Sequence, residues 1–402
     1  MKITKAEVFM LGGRPEHGGA SGVWRPVGCR IYTDEGIYGD GEAAVAYGNG
    51  APGAYGMLCE LSAKIIGKDP MNSDAVWEYL YRSTFWGQNG GPIFFAALSA
   101  IDIALWDIKG KFFKVPLYVL LGGRHRNRLR AYASQLQAGW PPIGAKDYFY
   151  HTKPEEFADS VRLALEDGYD AVKIDFFQTA IDGTFLDYDT QNGIIPLKLL
   201  DEIERKMEAA RNAAGPFTDI IVENHALPDS NGAVQIARIA EKYHAFFFEE
   251  PCTPNPGALR HLSKQIHIPI AHGERIYTRW QYSQYFEDHT IQVIQPDIGT
   301  CGGLTEVRKI CDMAHAYDIT VQAHAAGTPL STDIACHLET AIPNFCIHEH
   351  HIYNRLMLNE GLTKYNRHPK GGFITAPEEP GIGNEFLRDA IDHALAYQLI
   401  EG

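Results

Sequence analysis

What the 402-residue chain lacks narrows it first. It has no excess of positive charge: 36 lysines and arginines stand against 50 aspartates and glutamates, a formal net charge of −14. Neither nucleic acid nor an anionic membrane surface would attract such a chain as a whole. No apolar run approaches the length of a membrane span, and the opening residues MKITKAEVFML lack the cleavage pattern of a signal peptide. The seven cysteines have no close pairs and form no CxxC, which reads as reduced thiols in a soluble cytoplasmic protein.

The apolar fraction of 45% is that of an ordinary globular protein, and the length allows two or three domains. Residues 2–11 and 28–40 read as strands of an antiparallel meander turning at Asp34-Glu35-Gly36. Between them the glycine-rich loop RPEHGGASGVWRP carries His17, Trp24 and Arg25. Residues 53–120 switch to helical periodicity, most clearly in AALSAIDIALWDIKGKFF. We therefore expect an α+β domain over 1–125. From Leu129 the pattern repeats: LRAYAS, AVKID, DIIVENH, AFFFEEP, IPIAHGE, IQVIQPD, ITVQAHA and NFCIHEHH are eight strand-like runs separated by helical stretches. None of the eight runs into a GxGxxG turn, so the pattern predicts an α/β fold of the (β/α)₈ barrel type over 126–351 rather than an open nucleotide-binding sheet. The second unit carries an insertion, FQTAIDGTFLDYDTQNGIIP, expected to hang over the active-site face. Residues 352–402 are expected to leave the barrel and return to the first domain.

Three of the runs end in glutamate: Glu223, the pair Glu249-Glu250, and Glu274, spaced 26 and 25 residues apart. That spacing puts three carboxylates at the same end of three consecutive parallel strands, where barrel enzymes keep their chemistry. Three converging anions repel unless a hard divalent ion lies among them, so the pattern predicts a Mg²⁺ site. Glu249 and Glu250 face opposite ways along a strand, and parity alone does not say which of them points inward. His225 lies two residues beyond Glu223, on the same strand face. Asp297 and His324 end the sixth and seventh runs, on neighbouring strands.

Taken together, ALSAIDIALWDIKGK with VLLGG, then EEP, GER, QPD followed by GG, and the histidine ending the seventh run resemble the enolase superfamily, mandelate racemase subgroup, and within it the acid-sugar dehydratases of the galactonate dehydratase kind. The resemblance covers nearly the whole chain. It implies Glu223, Glu249 and Glu274 as the ligands of Mg²⁺, His324 with Asp297 as the base that removes the proton α to the substrate carboxylate, and His225 as the acid that protonates the departing hydroxyl. It implies that Glu349, protonated through a raised pKa, donates a hydrogen bond to that carboxylate. Racemases of the subgroup carry Lys-x-Lys at the end of the second strand, whereas this chain has Lys173-Ile174-Asp175. Lys173 and Asp175 share one strand face, where they can pair. Aspartate at the second position removes a second base and leaves one-base elimination intact. Asp175, Lys173, Trp24, Arg25, His17 and Arg275 are assigned to substrate binding. The expected reaction is Mg²⁺-dependent dehydration of a sugar acid to a 2-keto-3-deoxy acid by a homo-oligomer, a dimer, tetramer or octamer. Alternatives on the same fold are an epimerase or lactone cycloisomerase, or a metal-binding barrel without turnover.

Overall fold

The computed structural model describes residues 1–12 and 24–402; His17 lies outside the described residues. Strands β1 (Ile3–Met10), β2 (Val27–Thr33) and β3 (Tyr38–Ala43) form an antiparallel meander. Its turn falls at Asp34–Gly36, with Gly36 at φ +74°, a left-handed position that glycine reaches without strain. Helices α1 (Ala51–Ile65), α2 (Ser73–Ser83) and α3 (Pro92–Phe113) cover one face. In β3, YGDGEA, both glycines are required by packing: a Cβ on Gly41 would lie 1.8 Å from the Ala100 carbonyl oxygen, and one on Gly39 2.1 Å from that of Ala104. The strand thus lies directly on the backbone of α3, which is buried along nearly its whole length. The string GNGAPG at 48–53 does spell GxGxxG and opens α1. It follows an antiparallel strand rather than a βαβ crossover, which is not the setting in which that turn holds a dinucleotide.

Eight parallel strands follow: β4 (Leu129–Ser134), β5 (Ala171–Asp175), β6 (Asp219–Glu223), β7 (Phe248–Glu249), β8 (Ile270–His272), β9 (Val293–Ile294), β10 (Thr320–Val321) and β11 (His348–His351). Each pairs with its predecessor from β5 to β10, β11 pairs with β4, and a bridge between Val321 and Phe345 closes the ring. This is a (β/α)₈ barrel with an α+β cap. Helices return the chain after the first seven strands. After the eighth, two short 3₁₀ turns lead into the C-terminal segment. There β12 (Phe373–Ile374) pairs with β4, and β13 (Ala396–Glu401) adds to β1 as the edge of the cap sheet. All seven cysteines are free thiols, and no helix among the described residues is long and apolar enough to cross a membrane.

The helical motif ALSAIDIALWDIKGK works as a clamp between the two domains. Asp102 accepts hydrogen bonds from the Thr305 backbone N–H (2.8 Å) and hydroxyl (2.5 Å), capping the barrel helix Gly303–His315, while the Ser99 hydroxyl accepts from the Gly302 N–H (2.9 Å). Gly303 has φ +81°, and a Cβ there would meet an Asp102 carboxylate oxygen at 2.4 Å. Asp107 accepts from the backbone N–H of Asp40 in β3 and of Ile382 in the C-terminal segment. Glu42, at the end of β3, accepts from the Thr328 N–H (2.9 Å) and hydroxyl (2.6 Å) at the start of the helix that follows His324. Buried backbone donors at helix starts need such partners, and the cap supplies them. The barrel mouth is therefore held against a fixed roof.

Candidate active site

Strand alternation builds the site from the barrel floor upward. Tyr132, Ala171, Ile221, Phe247, Ala271, Val293 and Ile347 fill the interior as one apolar layer. Two residues further along the strands come Ser134, Lys173, Glu223, Glu249, Gln295 and Glu349, and two further still Asp175, His225, Asp297 and His351. The inward direction of Phe247 settles the parity that the sequence left open: Glu249 faces the mouth. Glu250, at φ +44°, turns behind the strand to His272 Nδ1 (2.8 Å) and to Arg275. His348 and His350 likewise leave the site. His348 pairs with Glu339 (2.6 Å), and His350 lies between the Tyr169 hydroxyl (2.5 Å) and His368 (3.2 Å).

Glu223, Glu249 and Glu274 each present a carboxylate oxygen, and the three oxygens lie within 4.8 Å of one another. Glu223 Oε1 and Glu249 Oε2 are buried with no hydrogen-bond partner among the described residues. A buried anionic oxygen without a donor is costly unless a cation serves it. Three carboxylates converging on one point, with two buried oxygens lacking a donor, fit a divalent ion of the Mg²⁺ kind.

Lys173 holds the far side of this cradle. Its ammonium lies 2.6 Å from Glu249 Oε1, 2.9 Å from Glu349 Oε1 and 3.2 Å from Glu223 Oε2. Burial disfavours its charge, but the three carboxylates outweigh that and hold its pKa well above the ordinary lysine value. The expected Lys173–Asp175 pair does not form. Although both side chains face inward, Lys173 stands at the height of the glutamates and Asp175 at the height of the histidines.

Glu349 requires a second correction. It accepts from the Ser134 hydroxyl (2.7 Å) and the Ala325 N–H (3.0 Å) and faces Lys173. Burial alone would raise its pKa, but Lys173 and His324 hold it well below the ordinary range. A group surrounded by donors is an acceptor. In the cradle without a cation Glu349 therefore stands as an acceptor, against the raised pKa expected from the sequence.

Two histidines close the ends of the row of glutamates. His324 Nδ1 lies 2.7 Å from Asp297 Oδ2, and its Nε2 3.2 Å from Glu274. His225 Nδ1 lies 2.6 Å from Asp175 Oδ2, and its Nε2 3.2 Å from Glu223. Burial opposes charge on both rings. Glu274 and the Asp297 hydrogen bond outweigh it at His324 and hold the pKa at about 10; Glu223 and the Asp175 hydrogen bond do so at His225, at about 9. At Glu274 burial is likewise outweighed, by His324 and Arg275, which bring its pKa down to about 2. These values belong to the cradle without a cation, whose charge would offset Glu223 and Glu274 and release both imidazoles. His225 and Ala226 have φ of +47° and +56°, a strained turn of the kind that persists where the surroundings enforce a side-chain direction.

Of the residues assigned to substrate binding, Arg275 is engaged by Glu250 and Glu274. Lys173 and Asp175 are held by protein partners as described. Trp24 is buried, its Nε1 donating to Asn359 Oδ1 (3.1 Å), and Arg25 donates to the Gly48 carbonyl (2.8 Å). Sequence reasoning missed two glutamines. Gln135 Nε2 donates to Glu223 Oε2 (2.9 Å) and lies 3.3 Å from His225 Nε2, while Gln137 donates to Gln135 and accepts the Asp175 N–H. Both directly follow the first barrel strand, a position that in this architecture faces the mouth. That was the available signal.

Comparisons with known proteins identify the family. Residues 156–390 match the family described as Enolase C-terminal domain-like, and residues 23–122 match the Mandelate racemase / muconate lactonizing enzyme, N-terminal domain. The chain is 30% identical to a D-galactonate dehydratase of Pectobacterium atrosepticum, over 97% of this chain and 94% of the relative, and 30% identical to one of Variovorax paradoxus, over 98% and 94%. Among solved structures, a member of the enolase superfamily from Salmonella Typhimurium superposes with a TM-score of 0.94 at 47% identity, covering all of both chains.

Proposed function

The chain belongs to the mandelate racemase / muconate lactonizing enzyme family of the enolase superfamily, and from that premise we propose that it dehydrates a sugar acid, an aldonate such as galactonate or gluconate, to a 2-keto-3-deoxy acid. One observation carries the reading: two imidazoles, each backed by an aspartate, stand at opposite ends of a three-carboxylate cradle. Elimination needs one group to take a proton from C2 and another to give one to the leaving oxygen. The dehydratase relatives support the same reaction class.

Glu223, Glu249 and Glu274 would hold the metal, Mg²⁺ in this reading. When bound, it supplies positive charge to the substrate carboxylate, stabilising the negative charge that builds as the C2–H bond breaks. His324 Nε2 takes the C2 proton, with Asp297 holding Nδ1–H so that the lone pair faces the substrate. His225 Nε2 then gives its proton to the 3-hydroxyl, which leaves as water, and the resulting enol tautomerises to the 2-keto acid. Lys173 offsets part of the negative charge around the cradle. We place the protein in the cytoplasm, a reading supported by its free thiols.

Metal removal tests the assignment. EDTA should abolish release of the 2-keto acid, followed as its semicarbazone, and added Mg²⁺ should restore it; full activity after stripping would remove the metal from the mechanism. A library of acid sugars with none turned over and no α-proton exchanged in D₂O would favour the alternative of a metal-binding barrel without turnover. We further propose a homo-oligomer. Phe85 and Trp86, 81% and 85% exposed on the cap, are neighbouring apolar side chains that a second copy could cover. Light scattering should give a mass well above 44.7 kDa, and a monomer at micromolar concentration would refute it.

A further inference from the structure

The two histidine–aspartate pairs are built to one plan. Asp297 Oδ1 accepts the N–H of Gly299, two residues on, at 2.7 Å, and its Oδ2 lies 2.7 Å from His324 Nδ1. Asp175 Oδ1 accepts the N–H of Phe177, also two residues on, at 2.7 Å, and its Oδ2 lies 2.6 Å from His225 Nδ1. Both carboxylates are buried, Asp175 at 1% exposure. In each pair the local turn fixes the carboxylate and the carboxylate fixes the ring. One Asp175 oxygen is thus engaged by the backbone and the other by the imidazole, with the residue buried. The Gln178 amide lies 3.2 Å from the same Nδ1, and the Gln135 amide 3.3 Å from Nε2, so the His225 ring is bounded on both edges.

We propose that Asp175 is the positioning residue of the leaving-group acid: by accepting Nδ1–H of His225 it holds the ring orientation in which Nε2 faces the substrate hydroxyl, and when Nε2 gives up its proton the ring is left neutral with Nδ1–H still on Asp175. This rests on the dehydration proposed above. The motif Lys173-Ile174-Asp175 then acquires a meaning beyond the loss of a second lysine base, because aspartate is the residue type that can serve the histidine of the neighbouring strand. The registers of β5 and β6 bring this about: Asp175 is the partner of Glu223, and His225 lies two residues beyond it. In the dehydration step the C2–H pair becomes the C2–C3 double bond, the C3–O bond breaks with its electron pair on oxygen, and that oxygen takes the His225 proton and leaves as water. In Asp175→Asn the amide can present N–H to Nδ1. This forces the ring proton onto Nε2 of a neutral imidazole, which is a poor acid. The C2 proton is still within reach of His324.

The test uses the whole enzyme with Mg²⁺, the aldonate that the wild type dehydrates out of D-galactonate and D-gluconate, and its 3-deoxy-3-fluoro analogue. Fluoride leaves with the C3–F electron pair and needs no proton, so its elimination does not depend on the acid. Asp175→Asn should dehydrate the natural acid roughly 10²–10⁴-fold more slowly, keep wild-type exchange of the C2 proton with D₂O, and eliminate fluoride close to the wild-type rate. Loss of exchange and of fluoride elimination together would make Asp175 a structural or substrate-binding group and overturn the proposal. So would dehydration at the wild-type rate. A wild type that neither dehydrates nor exchanges any aldonate would instead count against the function on which the proposal rests.

Discussion

The His324→Asn variant is expected to lose dehydration and C2-proton exchange together, each by roughly 10²–10⁴-fold or more, the usual range for a positioned base. His324 is the imidazole held by Asp297, its Nε2 is directed at the mouth beside Glu274, and the neighbouring side chains are carboxylates already engaged by Lys173, Arg275 or backbone donors. His351, another imidazole at the height of Asp297, accepts the Tyr353 N–H on its Nδ1 (3.2 Å) instead of donating to an aspartate as His324 does. Asparagine can still donate to Asp297, so the aspartate is not stranded and the fold is spared the cost of a buried unpaired charge. Exchange is the decisive measurement because it needs only the first proton transfer. NMR of the aldonate in D₂O should show the C2–H signal persisting with the variant while the wild type removes it. A variant that still exchanges would reassign the base and end the dehydratase reading at its most specific point.

The parts of this site legible in the sequence are those fixed by period and spacing. Strand ends 26 and 25 residues apart had to bring Glu223, Glu249 and Glu274 together once the barrel was recognised. Alternation by two put His225 above Glu223. What stayed hidden depends on height and on neighbours across strands. Lys173 and Asp175 share a face, and nothing in Lys-Ile-Asp says that one will meet three glutamates and the other a histidine; that follows from the register of β5 with β6. The acceptor contacts of Glu349 stayed hidden for the same reason. Its donors come from Ser134, Lys173 and Ala325, on three other segments. The cap motif was visible as a pattern but not as a clamp, since the partner of Asp102 is a helix start some 200 residues away.

The His225→Asn variant separates the two proton transfers and should give the other large effect. It is expected to dehydrate roughly 10²–10⁴-fold more slowly while keeping exchange at C2, because His324, Asp297 and the three glutamates are untouched and the enediolate can form and return. The fold should tolerate the change. Position 225 has φ +47°, and asparagine is among the few residues that enter the left-handed region readily. Its side-chain amide can also still donate to Asp175, so the buried carboxylate keeps a partner. Measuring 2-keto acid release and C2 exchange on one sample makes the result internal: exchange without release places His225 after the first transfer, as the leaving-group acid. Release at the wild-type rate would pass that role to another group. Loss of both activities in a folded variant would mean that His225 is needed to shape the cradle itself, through its contact with Glu223, and the division of labour between the two histidines would fall.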